Sequence, residues 1–507
     1  MQIRRPSCGS TALCWFVSLS PFAIGCLGDG QAPEEVAVEA LKPAPSRQAR
    51  SELAGLPDSA GLIASASSNA FSTGATNGFF SDLGSNGRTC NTCHVIEDGW
   101  TITPAHARTL AFDDPLFTPN DGADCPPTVA TQRPRKALSS ELVDYGLIRI
   151  ELGIPSGANF SLVSATNPER CAIAPGSAGA GNQLFLFRRP LPSTNLVFDS
   201  TIMWDGRETL QKVTNAAGFQ NEAPWLFDLN DQANTATVLH AQGAAIAGTQ
   251  AQADIVAFET NLYTAQSNAG FRQPLDVEGA HGGAQYLADT VAPAFAVGVN
   301  DPLQPGFTNA DFTVFAAWEP GSPGHAALSP SQKAIGRGEA IFNQTTFVIH
   351  DVPGLNSAPT NPLYNPADPL AGQDLKGGCA VCHNSPNVGN HSTSLPINIG
   401  VTLASPVNND GSANRRLDIG RLPVYTLTDG TTDVRLTDPG RALVTGKWTD
   451  LGKTKGPNLR GLAGRAPYFH NGSAKDLTTV VRFYNDRFAI GLSDRQIADL
   501  VVFLNAL

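Results

Sequence analysis

Cys90-Asn91-Thr92-Cys93-His94 and Cys379-Ala380-Val381-Cys382-His383 decide how this chain is read: each sets two thiols three residues apart and a histidine directly after the second. That spacing suits one covalent arrangement. The thiols add to the two vinyl groups of a haem, and the adjacent histidine is held beneath the iron as its proximal ligand. With nine cysteines and nine histidines in 507 residues, chance supplies about 0.003 such matches, and this chain has two. A zinc site would want two more Cys or His ligands nearby and a thioredoxin-like dithiol a βαβ context, and neither is evident in the sequence. The motifs read as two covalently bound haem c groups, with His94 and His383 as iron ligands.

Working outward from the second motif, Ser329-Pro330 followed by Ile335, Gly338, Ile341 and Phe342 predicts a capped amphipathic helix, with Gly338 leaving room for another helix to cross. Ser493 with Gln496 forms a capping box ahead of Ile497, Leu500, Val501 and Leu504 on one helical face. An opening helix, a haem-binding turn and a closing helix predict a cytochrome c domain over 328–507. The chain exceeds what one core usually supports, so 69–327 is assigned to an N-terminal haem domain, in which Ala233 to Gln266 reads as helical. The expected fold class is all-α: two cytochrome c-like domains with long loop and helical insertions.

The N-terminus reads as an export signal over 1–26: Arg4 and Arg5, then an apolar stretch from Thr11 to Gly25, too short to span a membrane as a mature helix. Ala23-Ile24-Gly25-Cys26 resembles a lipobox whose cysteine is lipidated, with Ala where Leu is usual. Residues 27–68, rich in Ala, Pro, Glu and Ser, read as a flexible tether. The expected location is periplasmic, or anchored to the outer membrane on its periplasmic or cell-surface side. Cys125 and Cys171 remain after the signal and motif cysteines; an oxidising compartment favours pairing them, and two unpaired buried thiols are the alternative. The formal charge of −11 and the absence of a Lys/Arg run exclude a nucleic-acid partner.

Two further stretches, Trp204-Asp205-Gly206-Arg207 and Ala466-Pro467-Tyr468-Phe469-His470-Asn471-Gly472-Ser473 followed by Leu477 to Tyr484, resemble the bacterial di-haem cytochrome c peroxidase superfamily, which includes the MauG-type enzymes. The resemblance covers the second domain well and the first in patches. The distance between the haem motifs is longer than in compact members, which implies insertions near Cys125 to Cys171 and 233–327; the long form is similar to the rubber oxygenases.

The resemblance implies a role for each of several residues. Trp204 would relay electrons between the haems, where the residue alone would read as a core tryptophan; Asp205 and Arg207 would brace its turn. Tyr484, fourteen residues past His470, would be the distal ligand of the second haem, as in the MauG type, or else a core tyrosine on the face of Leu477, Val480 and Val481. No methionine competes, since Met1 and Met203 are the only two. His470 would lie near the haem edge. At the first haem, Glu222 would shuttle the peroxide proton with Gln220 assisting, and His106 would stand where some relatives keep a displaceable histidine. Relatives also hold a calcium ion through backbone oxygens near this loop; Pro467 is retained, while Arg465 replaces a common threonine.

The function so implied is reduction of hydrogen peroxide at the His94 haem, with electrons arriving through the His383 haem from a small periplasmic cytochrome or cupredoxin. The rival readings are a MauG-like oxidase of a protein or organic substrate, a haem-dependent oxygenase, and a non-enzymatic di-haem electron carrier.

Overall fold

In the computed structural model the described residues are 52–67, 76–126, 133–166, 183–209, 224–393 and 395–507. The all-α expectation is overturned. Among the described residues 30% are helix and 16% strand, in four sheets, a mixed α/β architecture.

The strands lie where the haem motifs gave no guidance. Ile148–Gly153 pairs antiparallel with Gln183–Arg188, Ile148 opposite Arg188 and Gly153 opposite Gln183. Leu184 and Leu186 alternate into a core with Tyr425, Leu427 and Trp448, the period-two burial expected of a half-covered strand. Residues 61–67, expected in the flexible tether, form a central strand between Glu52–Pro57 and Leu262–Ala269. Ala64 and Ala66 are buried there, and Ser65 donates to or accepts from Thr264 at 2.7 Å.

The stretch expected to be helical from 233 to 266 divides. Helices Pro224–Leu239 and Gln250–Thr260 form, and the chain then turns at Asn261 into strand Leu262–Ala269. Tertiary pairing with 61–67 overrides the local pattern there. A third sheet joins the two expected domains: strand Ser161–Thr166 pairs with Val424–Thr428, which pairs with Asp433–Leu436. A boundary at 327/328 is thus crossed by a sheet.

The frame around the second motif matches its expectation. Ser329 and Gln332 close a capping box on helix Pro330–Gln344, and Ser493 and Gln496 close another on helix Asp494–Asn505. The two helices cross at Gly338, where a Cβ would come within 2.2 Å of Asp499 O and 2.4 Å of Phe503 Cβ. Only glycine permits that approach. Arg337 and Asp499 clamp the crossing at 2.7 and 2.8 Å, and Phe312, Phe315, Phe342 and Phe503 fill the core beneath it.

Candidate haem centres and the tryptophan between them

Both motifs fold alike. Cys90–Thr92 and Cys379–Val381 each form a single 3-10 turn, closed by His94 N–H donating to Cys90 O at 3.1 Å and His383 N–H to Cys379 O at 3.0 Å. Each imidazole then points Nδ1 at the carbonyl six residues on: His94 to Trp100 O at 3.1 Å, His383 to Gly389 O at 2.6 Å. A carbonyl only accepts, so Nδ1 carries the proton and Nε2 keeps its lone pair, the tautomer an iron ligand requires. Each ring also meets a phenylalanine at a centroid distance of 6.4 Å, Phe79 for His94 and Phe342 for His383. Burial holds both imidazoles neutral, His94 down to about 4. Burial also pushes the thiols up, Cys93 to about 11 and both Cys379 and Cys382 to about 12.

Each motif opens on a large cavity. The one carrying Cys379, Cys382 and His383 spans about 1470 Å³ with the solvent at its open mouth included, and is lined mostly by apolar side chains such as Ile341, Phe342, Leu477 and Val481. The one carrying Cys90, Cys93 and His94 spans about 1320 Å³ on the same measure and has a more polar wall that includes Arg88, Asp121, His240 and Glu259. Paired cysteines, an imidazole of fixed tautomer and an adjoining apolar cavity fit a covalently held haem at each motif.

Trp204 lines both cavities. Its Nε1 donates to Arg189 O at 2.8 Å, and its ring lies 6.2 Å from that of His470. The following turn is braced as expected: Asp205 accepts from Arg188 at 2.5 Å and from the Arg207 amide at 3.1 Å. Burial alone would raise the Asp205 carboxyl, but Arg188 and Arg207 outweigh it and its pKa falls to about 2. Arg188 also binds Asp438 through Nε at 2.7 Å and Nη2 at 2.9 Å, and His470 Nε2 lies 3.6 Å from that carboxylate. A buried ionic cluster thereby braces the tryptophan turn, with His470 of the 467–473 loop beside it.

Tyr484 reaches the wall of the second cavity from helix Leu477–Arg487, beside Val480 and Val481. Burial and the neighbouring Cys382 and Cys379 push its phenol above the usual range. His470 lines the same cavity; neither ring nitrogen has a hydrogen-bond partner, and burial lowers its pKa to about 4. His106 is placed elsewhere. It lies on helix Pro104–Thr109 with Nδ1 3.4 Å from Asp98, and is not among the residues lining either cavity. Glu222 and Gln220 lie outside the described residues, as does Cys171, while Cys125 is disulfide-bonded.

A calcium ion beside Pro467 does not fit the residues present. The Arg465 carbonyl accepts from Arg189 Nη2 at 3.2 Å, and the buried Arg465 guanidinium itself donates to Gly461 O and Asn458 O at 3.1 Å and to Arg460 O. Two buried guanidinium groups thus occupy the carbonyl oxygens with positive charge.

Reading the sequence alone missed His240, Asp121, Glu259, Lys455 and His391. Lys455, which with Trp204 lines both cavities, pairs with Asp199 at 2.7 Å and donates its amide to Trp204 O at 2.9 Å. His391 is buried in the second cavity wall and driven down to about 3 by desolvation. None belongs to a spaced motif; the helix-face pattern leading to His240 was the one available signal.

No family model matches the chain. Among characterised proteins it is similar to two from Denitromonas iodatirespirans: cytochrome-c peroxidase IdrP2, 35% identical over 142 residues covering 26% of this chain and 36% of the relative, and cytochrome-c peroxidase IdrP1, 33% identical over 147 residues covering 26% and 37%. The chain thus spans little more than a third of the length of the curated relatives it matches.

Proposed function

We propose that this member of the di-haem cytochrome c peroxidase-like group is an exported oxidoreductase that reduces hydrogen peroxide at the His94 site with electrons delivered through the His383 site. The observation that carries this reading is that one indole, Trp204, forms part of the wall of both cavities.

When bound, each haem supplies the redox-active iron and macrocycle, and the protein sets access, distance and potential. His94 and His383 would hold the irons through Nε2, and their Nδ1–carbonyl bonds fix the ring planes. Trp204, pinned by Arg189 O and the Arg188–Asp205–Asp438 cluster, would carry electrons across without reorienting. The more polar first cavity suits a small hydrogen-bonding oxidant, whereas the apolar second one suits storage and relay of electrons. The family resemblance alone would give proton handling at the first site to Glu222 and Gln220. The donor would be a small periplasmic cytochrome or cupredoxin. The disulfide at Cys125 supports export to an oxidising compartment, with lipid attachment at Cys26 as the anchor.

A second reading is favoured by Tyr484 in the second cavity wall. A phenolate on that iron would stabilise its ferric and more oxidised states, turning the protein toward MauG-like oxidation of a protein or organic substrate.

Electron paramagnetic resonance of the oxidised protein, made in a host competent for cytochrome maturation, tests both. The expected spectrum has a high-spin component that peroxide abolishes. Two low-spin signals indifferent to peroxide would instead make the chain an electron carrier, and a mass equal to the polypeptide alone with no Soret band would remove the haems altogether.

A further inference from the structure

Helix Pro224–Leu239 turns one face to the first cavity: Leu229, Gln232, Ala233, Ala236 and Thr237 line it, and His240, just past the last turn, ends the row. The spacing follows the three-and-four rhythm of a helix face. His240 is held from two directions. Its backbone carbonyl accepts from Asn86 Nδ2 at 2.8 Å and Asn120 Nδ2 at 3.2 Å, and its ring Nδ1 hydrogen-bonds Asp121 Oδ2. Asp121 is buried and is fixed in turn by Arg88, whose guanidinium also donates to Pro115 O at 2.8 Å and Leu116 O at 2.6 Å.

A carboxylate on Nδ1 orients an imidazole, keeps its other nitrogen as an acceptor and stabilises the ring when it becomes protonated. The arrangement at His240 therefore differs in kind from that at His94, whose Nδ1 bonds a neutral carbonyl. Arg88 beside Asp121 keeps the carboxylate ionised, its pKa at about 2 despite burial. The carboxylate is buried, and the imidazole it holds, although a third exposed, forms part of the cavity wall.

We propose that His240, oriented by Asp121, is the acid–base residue of the first haem site. This rests on the peroxidase reading above. Nε2 would take the proton from one oxygen of hydrogen peroxide and return it to the other, so that the O–O bond breaks with release of one water; two electrons from the donor protein and two protons from solvent complete the reduction to two waters. Asp121 is a positioning residue in this scheme, and Arg88 holds Asp121.

The test compares the full-length holoprotein with H240A and D121N, each first checked for unchanged Soret absorbance and haem content. Three association rates are measured by stopped flow: hydrogen peroxide and hydrogen cyanide, which must both give up a proton on binding, and nitric oxide on the reduced protein, which need not. The expected result is a fall of about 100-fold or more for peroxide and cyanide in H240A, a smaller fall in D121N, and no change for nitric oxide. Unchanged cyanide and peroxide rates would overturn the proposal, as would an equal fall in all three, which would make His240 a structural gate. Loss of a low-spin signal in H240A would overturn it by making His240 an iron ligand. A wild-type protein that binds cyanide with His240 dependence but ignores peroxide would sink the peroxidase reading while leaving the proton-transfer role intact.

Discussion

The indole N–H of Trp204 donates to the carbonyl oxygen of Arg189 at 2.8 Å. Arg189 in turn donates its amide to His470 O at 2.6 Å, so one backbone unit ties the tryptophan to the wall of the second cavity. A satisfied indole N–H fixes ring orientation as well as position.

Replacing Trp204 with Phe keeps an apolar ring but removes the bond to Arg189 and part of the bridge between cavities. W204F is expected to keep both haems and to bind cyanide normally while its peroxidase turnover with the reduced donor falls tenfold or more. The check is rapid-mixing spectroscopy of haem reoxidation alongside steady-state turnover. An unchanged turnover would reduce Trp204 to a core residue.

Tyr484 is the second test of the wall. Y484F removes only the phenol oxygen, and the packing against Val480 and Phe488 should hold. If the oxygen ligates iron, the variant loses the corresponding low-spin signal and the second haem becomes easier to reduce, because an anionic ligand favours the ferric state. Redox titration followed by electron paramagnetic resonance reads both effects. A spectrum identical to wild type would leave Tyr484 a buried packing residue.

The haem motifs, the Ser329 and Ser493 caps and the Gly338 crossing were legible because each is a local pattern tied to a fixed geometry. The strands were not. Leu262–Ala269 continues an Ala- and Gln-rich segment and turns to sheet only because residues 61–67 lie alongside, a partner almost two hundred residues away in sequence. Residues 148–153 and 161–166 sit in what read as a loop insertion for the same reason. At the sites, Trp204 and Tyr484 were singled out through the family resemblance, whereas the His240–Asp121–Arg88 unit joins positions on three separate segments with no shared pattern. His106 was chosen by its distance from His94 along the chain, and the fold carries it to Asp98 instead.

Arg189 and Arg465 predict indifference to calcium. Both guanidinium groups are buried and remain charged at neutral pH, with pKa lowered by desolvation only to about 10. A divalent cation would have to displace Arg189 from Arg465 O against that charge. Prolonged treatment with a chelator is therefore expected to leave activity, haem spectra and melting temperature unchanged, and added calcium to do the same. R189M, which frees the carbonyl and removes one charge, is the variant in which calcium could begin to stabilise the fold.

Glu259 adds a pH-dependent contribution to stability. Its side chain is buried in the first cavity wall near Cys90, and desolvation raises its pKa from 4.5 to about 8, with a Ser193 hydrogen bond opposing. A carboxyl whose folded pKa lies above its unfolded value binds its proton more tightly in the native state. The contribution of this group to stability is then full below pH 4.5 and declines as pH rises toward 8, where the unfolded chain ionises freely and the folded one resists. E259Q keeps the shape and cannot ionise, so it removes the decline. At pH 7 the variant should be more stable by roughly 3 kcal/mol, and by almost nothing near pH 4.5. Urea unfolding of wild type and E259Q across pH 4.5–8 measures the gap; a constant difference at every pH would mean that Glu259 stays ionised in the folded protein.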